Sequence, residues 1–335
     1  MITETKSDGT ISFVIVAPRQ GAGGPIVLHA LCHALGECGY DAKFFLASSV
    51  FGSEQFGPIH TWTKWLISTV KDALIMGALH LLPKKWSRGK SQFDYLMHPS
   101  VPYGKRKITP FVDDRTIVIY PEGCYGNPLH AKNVVRWFLY YNRYPGDEKA
   151  FGKNDLFYCF REVFNDSSLN PEGRVLRLVH YDLDLYRRYN NGARYGRCYI
   201  LRKGRNRSDL PKEFDGPIVD ELAEWEKVRV FNECEYCISY DMQSAYSRIA
   251  AMCGCISVKI PEEGKTREDY EDSGDLHIGV AYGFEEDELS FALKTRDCIR
   301  EYYERANAEA IMRANTFAQD AIEFFGLTDR RPSKS

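Results

Sequence analysis

No excess of one charge marks this chain. Its 44 Lys and Arg stand against 46 Asp and Glu, a net charge of -2, which argues against a general nucleic-acid binder, since phosphate contacts need a basic face. A long uncharged apolar run is also missing. The most apolar stretch, Trp62 to Leu82, carries Lys64, Lys71 and Asp72, and charges at that depth make a bilayer crossing costly. The first residues, MITETKSDGT, lack the basic head and apolar core of a secretory signal, so the chain is expected in the cytosol. The ten cysteines form no dense disulfide framework. Cys32, Cys159, Cys198 and Cys298 are scattered singly, as buried thiols are in a reducing compartment.

Familiar metal signatures are absent as well. His29 and His33 stand four apart, but without the Glu of HExxH, and GAGG at 21–24 is not GxGxxG. Asp182 and Asp184 have DxD spacing but fall inside an expected bridging strand, Arg174 to Tyr186. Cys234, Cys237, Cys253 and Cys255 have the number of thiols for a zinc site. Two of them, however, flank the glycine that should end a helix and Cys237 lies inside a strand, so core thiols are the expectation. No metal and no cofactor is expected.

What is present is a chain of 335 residues, room for roughly two domains of about 150 residues each. Aromatic residues make up 13%, which suits ring-bearing ligands and plain cores alike. ISFVIVA at 11–17 is a nearly continuous β-branched run of buried-strand type. A Gly-rich loop follows, then Pro25 in a first-turn position and Val27, Leu31, Ala34 and Leu35 at helical spacing. Gly39 closes that helix and Ala42 to Ala47 makes a second strand, a βαβ opening whose Gly23 and Gly24 let a ligand approach the backbone. A tight turn explains those glycines equally well.

Between Thr61 and Lys107 there are nine Lys or Arg against Asp72 and Asp94, with Trp62, Trp65 and Trp86 interleaved. That composition fits an amphipathic helix and basic loop on an anionic membrane, or a core-facing helix with a solvated loop. Thr116 to Tyr120 is a strand delivering PEGCYGNPLHAKNVVRWFL. Glu122 and Asn127 fall at its terminus, and Ala131 to Leu139 is expected as a helix with Lys132 and Arg136 on one face. A loop of this kind commonly carries function.

The break NNGARYG at 190–196 divides the chain into expected domains at 1–190 and 191–335. Cys198 to Leu201 is a strand whose end carries Arg202, Lys203 and Arg205 around Gly204, suited to neutralising a diphosphate. Pro217 to Asp220 is a further candidate strand and Glu221 to Glu233 a helix. Tyr236 to Ile260 is a strand, a polar turn with Asp241 and Ser244, a helix from Ala245, and a second strand. Ligands of such parallel units sit beyond the carboxyl ends of the strands. A long helix from Glu286 to Phe325, with a break near Asn307, closes the chain.

GAGGPIVLHALCHALGECGYDAKFF, YPEGCYGNPLHAKNVVRWFL and DMQSAYSRIAAMCGCISVKIPEEG resemble segments of GT-B glycosyltransferases, including those of bacterial lipopolysaccharide and capsule synthesis. The last is similar to the EGFGLPLLEAMACGCPV segment of the retaining superfamily. The resemblance implies an α/β fold of two Rossmann-like domains facing across a cleft, the N-terminal one on the acceptor side and the C-terminal one on the donor side. It implies a nucleotide-diphosphate sugar as donor and a growing glycan or lipid-linked acceptor, with hexosyl transfer in the cytoplasm or at the inner face of the membrane. Glu122 or Asp241 would do the chemistry. Gly23, Gly24, Arg202, Lys203, Arg205, Ser244 and Ala245 would hold the donor, and Asn127, Lys132 and Arg136 the acceptor or a sugar. Ile249 stands where the family's paired-Glu motif has its second Glu, so that ribose contact is missing, and a non-catalytic sugar- or nucleotide-binding protein is the alternative. A zinc module on the four cysteines is a third reading.

Overall fold

The computed structural model describes residues 10–18, 23–46, 63, 66–67, 70–71, 74, 105–106, 111–267 and 278–329. Most of the basic segment 61–107 therefore lies outside the described residues. The chain packs as two units, one of residues 1–180 with 306–335 and one of residues 181–305. The loop 190–196 lies inside the second, where Tyr186 is buried and Asn190 donates to the Asn232 carbonyl at 2.9 Å.

The first unit is built on a six-stranded parallel sheet in the order β3-β2-β1-β4-β5-β6. The elements are β1 (Ser12–Ala17), α1 (Gly23–Glu37), β2 (Asp41–Leu46), β3 (Lys105–Arg106), β4 (Thr116–Pro121), β5 (Asn133–Phe138) and β6 (Leu156–Cys159). Every residue of β1, β4, β5 and β6 is buried, as a parallel sheet covered on both faces requires. One face, with Phe13, Ile15, Ile117, Val135 and Trp137, packs on α1 and on Ala310, Ala314 and Phe317 near the chain's end. The other, with Val14, Val16, Val118 and Val134, packs on Cys124, Leu129 and Ala131 of the β4–β5 loop.

The second unit holds a four-stranded parallel sheet in the order β10-β9-β8-β7. Its elements are β7 (Arg197–Ile200), α2 (Glu224–Glu233), β8 (Tyr236–Ser239), α3 (Tyr246–Met252), β9 (Ile256–Lys259), β10 (Val280–Tyr282) and α4 (Glu286–Thr295), and it contains the first residues of α5 (Cys298–Phe324). Val228, Phe231, Ile249 and Ala250 of α2 and α3 cover one face. Ala292 and Leu289 of α4 cover Val258 and Ala281 on the other.

Four expectations on secondary structure need correction, the first at 217–220, which is no strand: Ile218 makes one bridge to Tyr199 and Val219–Glu221 is a 3-10 turn. NVVRWF is a strand, not part of a helix over 131–139. An apolar run this short has no periodicity to separate the two, and its place between β4 and β6 buries both faces. The stretch 174–186 is not a strand. Val175 makes a single bridge to Cys159, and the Asp182 carboxylate closes a turn by accepting the Asp184 and Leu185 N–H groups at 3.0 and 2.9 Å. The terminal helix breaks at 296–297 and not near Asn307. There the turn before β10 presses in: Gly279 N–H donates to Thr295 Oγ1 at 2.8 Å, and a Cβ on Gly279 would collide with Ile299.

Candidate functional site

The order of the first sheet reverses between β1 and β4, and ligands of doubly wound sheets bind beyond the carboxyl ends of the strands at such a switch point. Glu122 stands there, one residue past β4. It is buried, and its Oε2 accepts the Leu139 N–H just past β5 at 3.0 Å. Gly24 in the first turn of α1 faces the same Leu139, whose Cδ1 would lie 3.5 Å from a Cβ there. Glu122, Gly23 and Gly24 thus share one edge of the unit. Burial raises the Glu122 pKa above its ordinary value, against the pull of N–H donors from Glu122, Leu139 and Tyr140 and of the Arg143 guanidinium. A carboxyl group whose pKa is raised in this way is a candidate for proton transfer.

The expected acceptor ligands lie elsewhere. Arg136 is wholly buried within β5. It donates from Nε to Asp155 at 2.7 Å, from Nη1 to the Cys124 carbonyl at 3.1 Å and from Nη2 to the Gly126 carbonyl at 2.6 Å, and it packs over the Tyr120 and Phe151 rings. Asn127 is also used inside the loop. Its Oδ1 accepts the Tyr120 hydroxyl and the Ala131 N–H, both at 3.0 Å, while Nδ2 donates to the Ala131 carbonyl at 2.7 Å. Lys132 precedes β5, at the amino edge of the sheet, where it pairs with Asp114 at 3.6 Å. Arg136 and Asn127 are used inside the β4–β5 connection, and Lys132 lies at the edge of the sheet opposite Glu122.

In the second unit the ends of β7 and β8 bring Arg202, Lys203 and Asp241 together. Asp241 follows β8 and is buried. Its Oδ1 accepts the Gln243 N–H at 3.0 Å, and its Oδ2 lies 4.0 Å from Arg202 Nε. It does not cap α3, whose N-cap is Ala245; the Tyr246 N–H is taken by the Ser244 hydroxyl at 3.3 Å. The turn is gripped from below. Ser239 Oγ donates to the Asp241 carbonyl at 2.9 Å, and the buried Lys259 ammonium to the Met242 carbonyl at 2.7 Å.

Arg202 opens a short 3-10 turn, Arg202–Gly204, with φ of 35°, a conformation that costs a non-glycine residue roughly 1 to 3 kcal/mol. The turn passes so close to β8 that a Cβ on Gly204 would collide with the Tyr240 carbonyl. The Arg202 guanidinium lies 5.5 Å from the Tyr246 ring centroid, and Lys203 donates to Gln243 Oε1 at 3.0 Å. Arg205 turns away to Asp220 at 3.3 Å and Glu221 at 3.6 Å. Arg207 is spent on Asp209 and on the Ile260 and Pro261 carbonyls at 2.7 and 2.9 Å. Of four cations on this stretch, Arg202 and Lys203 remain next to Asp241.

Asp220, Tyr246 and Lys259 escaped the sequence reading. Asp220 had a faint signal, an acid ending a candidate strand. Only the isolated parallel bridge between Ile218 and Tyr199 brings it beside the end of β7.

The thiols form one core cluster, in which Cys198 joins Cys234, Cys237, Cys253 and Cys255. Cys198, Cys234, Cys237 and Cys255 meet, and hydrogen bonding of the Cys198 thiol to the other three, together with burial, pushes its pKa up. Among the described residues no group of three or more His, Cys, Asp or Glu side chains is arranged to hold a metal ion, and no described helix is long and apolar enough to cross a membrane.

No family model and no curated protein matches this chain. Among solved structures, the glycosyltransferase SnogD from Streptomyces nogalater is similar at 12% identity, over 93% of this chain and 99% of that one, with a TM-score of 0.35. Likeness of that degree carries no argument on activity.

Proposed function

We propose that this chain is a glycosyltransferase that moves a sugar, of hexose type, from a nucleotide-diphosphate donor to a growing cell-surface glycan or lipid-linked acceptor, as in bacterial lipopolysaccharide or capsule synthesis. The observation that carries the reading is the meeting of Arg202, Lys203 and buried Asp241 at the carboxyl ends of β7 and β8. Two cations offer charge-assisted contacts to a diphosphate, and a buried carboxylate beside them can accept hydrogen bonds from the donor sugar. Glu122, with its raised pKa, is the base for the acceptor hydroxyl in the first unit. On this reading the cations balance the leaving diphosphate and no divalent metal is required.

The test is a screen of nucleotide sugars for release of free nucleoside diphosphate, with and without a chelator. Release that survives the chelator supports the reading. Binding of nucleotide sugars without release under any condition overturns it in favour of a non-catalytic binding protein. That second reading draws on Ile249, which is buried in the α2–α3 core and leaves no carboxylate at its position.

The same reading gives the chain a peripheral place on an anionic membrane. Support comes from Leu66, Ile67, Val70 and Leu74, which are helical and exposed, Ile67 and Leu74 at 68% and 69%. Charge agrees, since nine cations lie between Thr61 and Lys107.

A further inference from the structure

Asp220 lies one residue beyond the Val219 side chain that enters the second unit's core. Its carboxylate is 7% exposed. Both oxygens are turned onto the end of β7: Oδ1 accepts the Leu201 N–H at 3.3 Å and Oδ2 the Arg202 N–H at 2.6 Å. Oδ2 also takes Arg205 Nη2 at 3.3 Å. Arg202 is the residue held at positive φ, and the turn it opens is closed on its far side by the Gly204–Tyr240 approach.

A carboxylate at this place is unexpected if charge alone matters, because it would repel an anion bound by Arg202 and Lys203. Its hydrogen bonds explain its presence. Two backbone donors that point out of a strand end are tied down, one of them the N–H of Arg202 at positive φ. The same carboxylate draws Arg205 out of the cation set.

We propose that Asp220 is a positioning residue for anion binding at the end of β7: it fixes the Arg202 backbone so that the guanidinium stands between the Tyr246 ring and Asp241, ready for a diphosphate. This rests on the diphosphate reading of that edge. Asp220 itself touches no ligand and acts through Arg202.

The two accounts of Asp220 differ in sign. If only its charge mattered, Asp220→Asn would tighten the binding of a polyanion; if it positions Arg202, the same change weakens it. Inorganic pyrophosphate titrated into the full chain by calorimetry is the probe. Arg202→Ala is expected to weaken binding at least tenfold and Asp220→Asn at least fivefold. Asp220→Asn made in the Arg202→Ala background is expected to add no further loss, an outcome that a general structural role would not produce. Asp220→Glu keeps the charge but displaces the oxygens by a methylene, and is expected to lose as much as the Asn variant. It is the variant to read if Asp220→Asn fails to fold. Parent-like or tighter binding in either Asp220 variant while Arg202→Ala is weakened overturns the proposal and leaves the diphosphate site standing. An equal loss in both backgrounds also overturns it. Pyrophosphate affinity that Arg202→Ala leaves unchanged removes the diphosphate reading and, with it, the role of Asp220.

Discussion

The guanidinium of Arg202 and the carboxylate of Asp241 stand 4.0 Å apart at the ends of two adjacent parallel strands, the Arg side chain 33% exposed and the Asp side chain 5%. At that separation the pair is at the limit of an ion pair. A partly exposed contact of this kind is worth no more than about 1 kcal/mol. Arg202 is therefore available to a competing anion, while Asp241, fixed by Gln243, keeps its place when Arg202 moves.

Asp241→Asn separates binding from chemistry. The amide oxygen can still accept the Gln243 N–H, so the melting temperature is expected to stay near the parent's. Losing the counter-ion leaves Arg202 freer for a diphosphate, so donor affinity is expected to hold or rise. The turnover is expected to fall at least about tenfold, because a carboxylate that orients the sugar or steadies positive charge is gone. A folded variant with parental turnover would remove Asp241 from the site.

Glu122 gives a pH signature. Burial holds its folded pKa above the ordinary value of 4.5, so over the window between the two the native chain binds a proton that the unfolded chain has released. The stability it contributes is present below about 4.5 and is lost as pH rises through the raised pKa. Denaturant unfolding of the parent and of Glu122→Gln from about pH 4 to about pH 8 is expected to show the parent losing stability relative to the variant as pH rises. On the proposed reading of Glu122 as the base, it is expected to set the acid limb of the transfer rate, and Glu122→Gln is expected to cost about 100-fold or more in turnover. A flat stability difference across that range would contradict the burial of an ionisable Glu122.

Arg136 is expected to be a stability residue. It is fully buried, paired with Asp155 and bound to two carbonyls, and removing one partner of a buried pair leaves an uncompensated charge at about 3 to 5 kcal/mol. Arg136→Ala and Asp155→Ala should each unfold at clearly lower urea. Arg136→Lys should recover little, since an ammonium cannot span three acceptors in the fork geometry of a guanidinium. Parental stability in Arg136→Ala, with weaker acceptor binding, would return Arg136 to the acceptor site.

Membrane attachment is expected to depend on charge and on apolar exposure together. Binding to vesicles containing anionic lipid should fall as salt shortens the screening length. Lys84, Lys85 and Arg88 changed to Glu should weaken it at least about tenfold, each cation being worth about 1 kcal/mol near such a surface. Ile67, Val70 and Leu74 changed to Ser should weaken it too, at any salt. Sedimentation with neutral vesicles as control decides the matter, and absent or salt-independent binding rejects it.

The amino-acid sequence by itself determined the parallel α/β class, the βαβ openings around β1 and β8, and the candidates Glu122 and Asp241 at strand ends, because those features are local. A β-branched run such as ISFVIVA can be stable only where both faces are covered, and glycines at 39 and 254 end the helices that follow the strands. Tertiary structure alone decided the rest. NVVRWF reads as strand or helix until β4 and β6 flank it. Arg136 reads as a surface cation until Asp155 and two carbonyls close over it, and Lys132 reads as its neighbour on one helix until the strand puts it at the opposite edge of the sheet. Which of the cations at 202–207 stay beside Asp241 depends on Asp220 and Asp209, and the thiol cluster is completed by Cys198, 36 positions before Cys234. Each of these choices is made by partners remote in the chain or on another strand, and the energy of a buried charge, thiol or strand depends on those partners more than on its own neighbours in sequence.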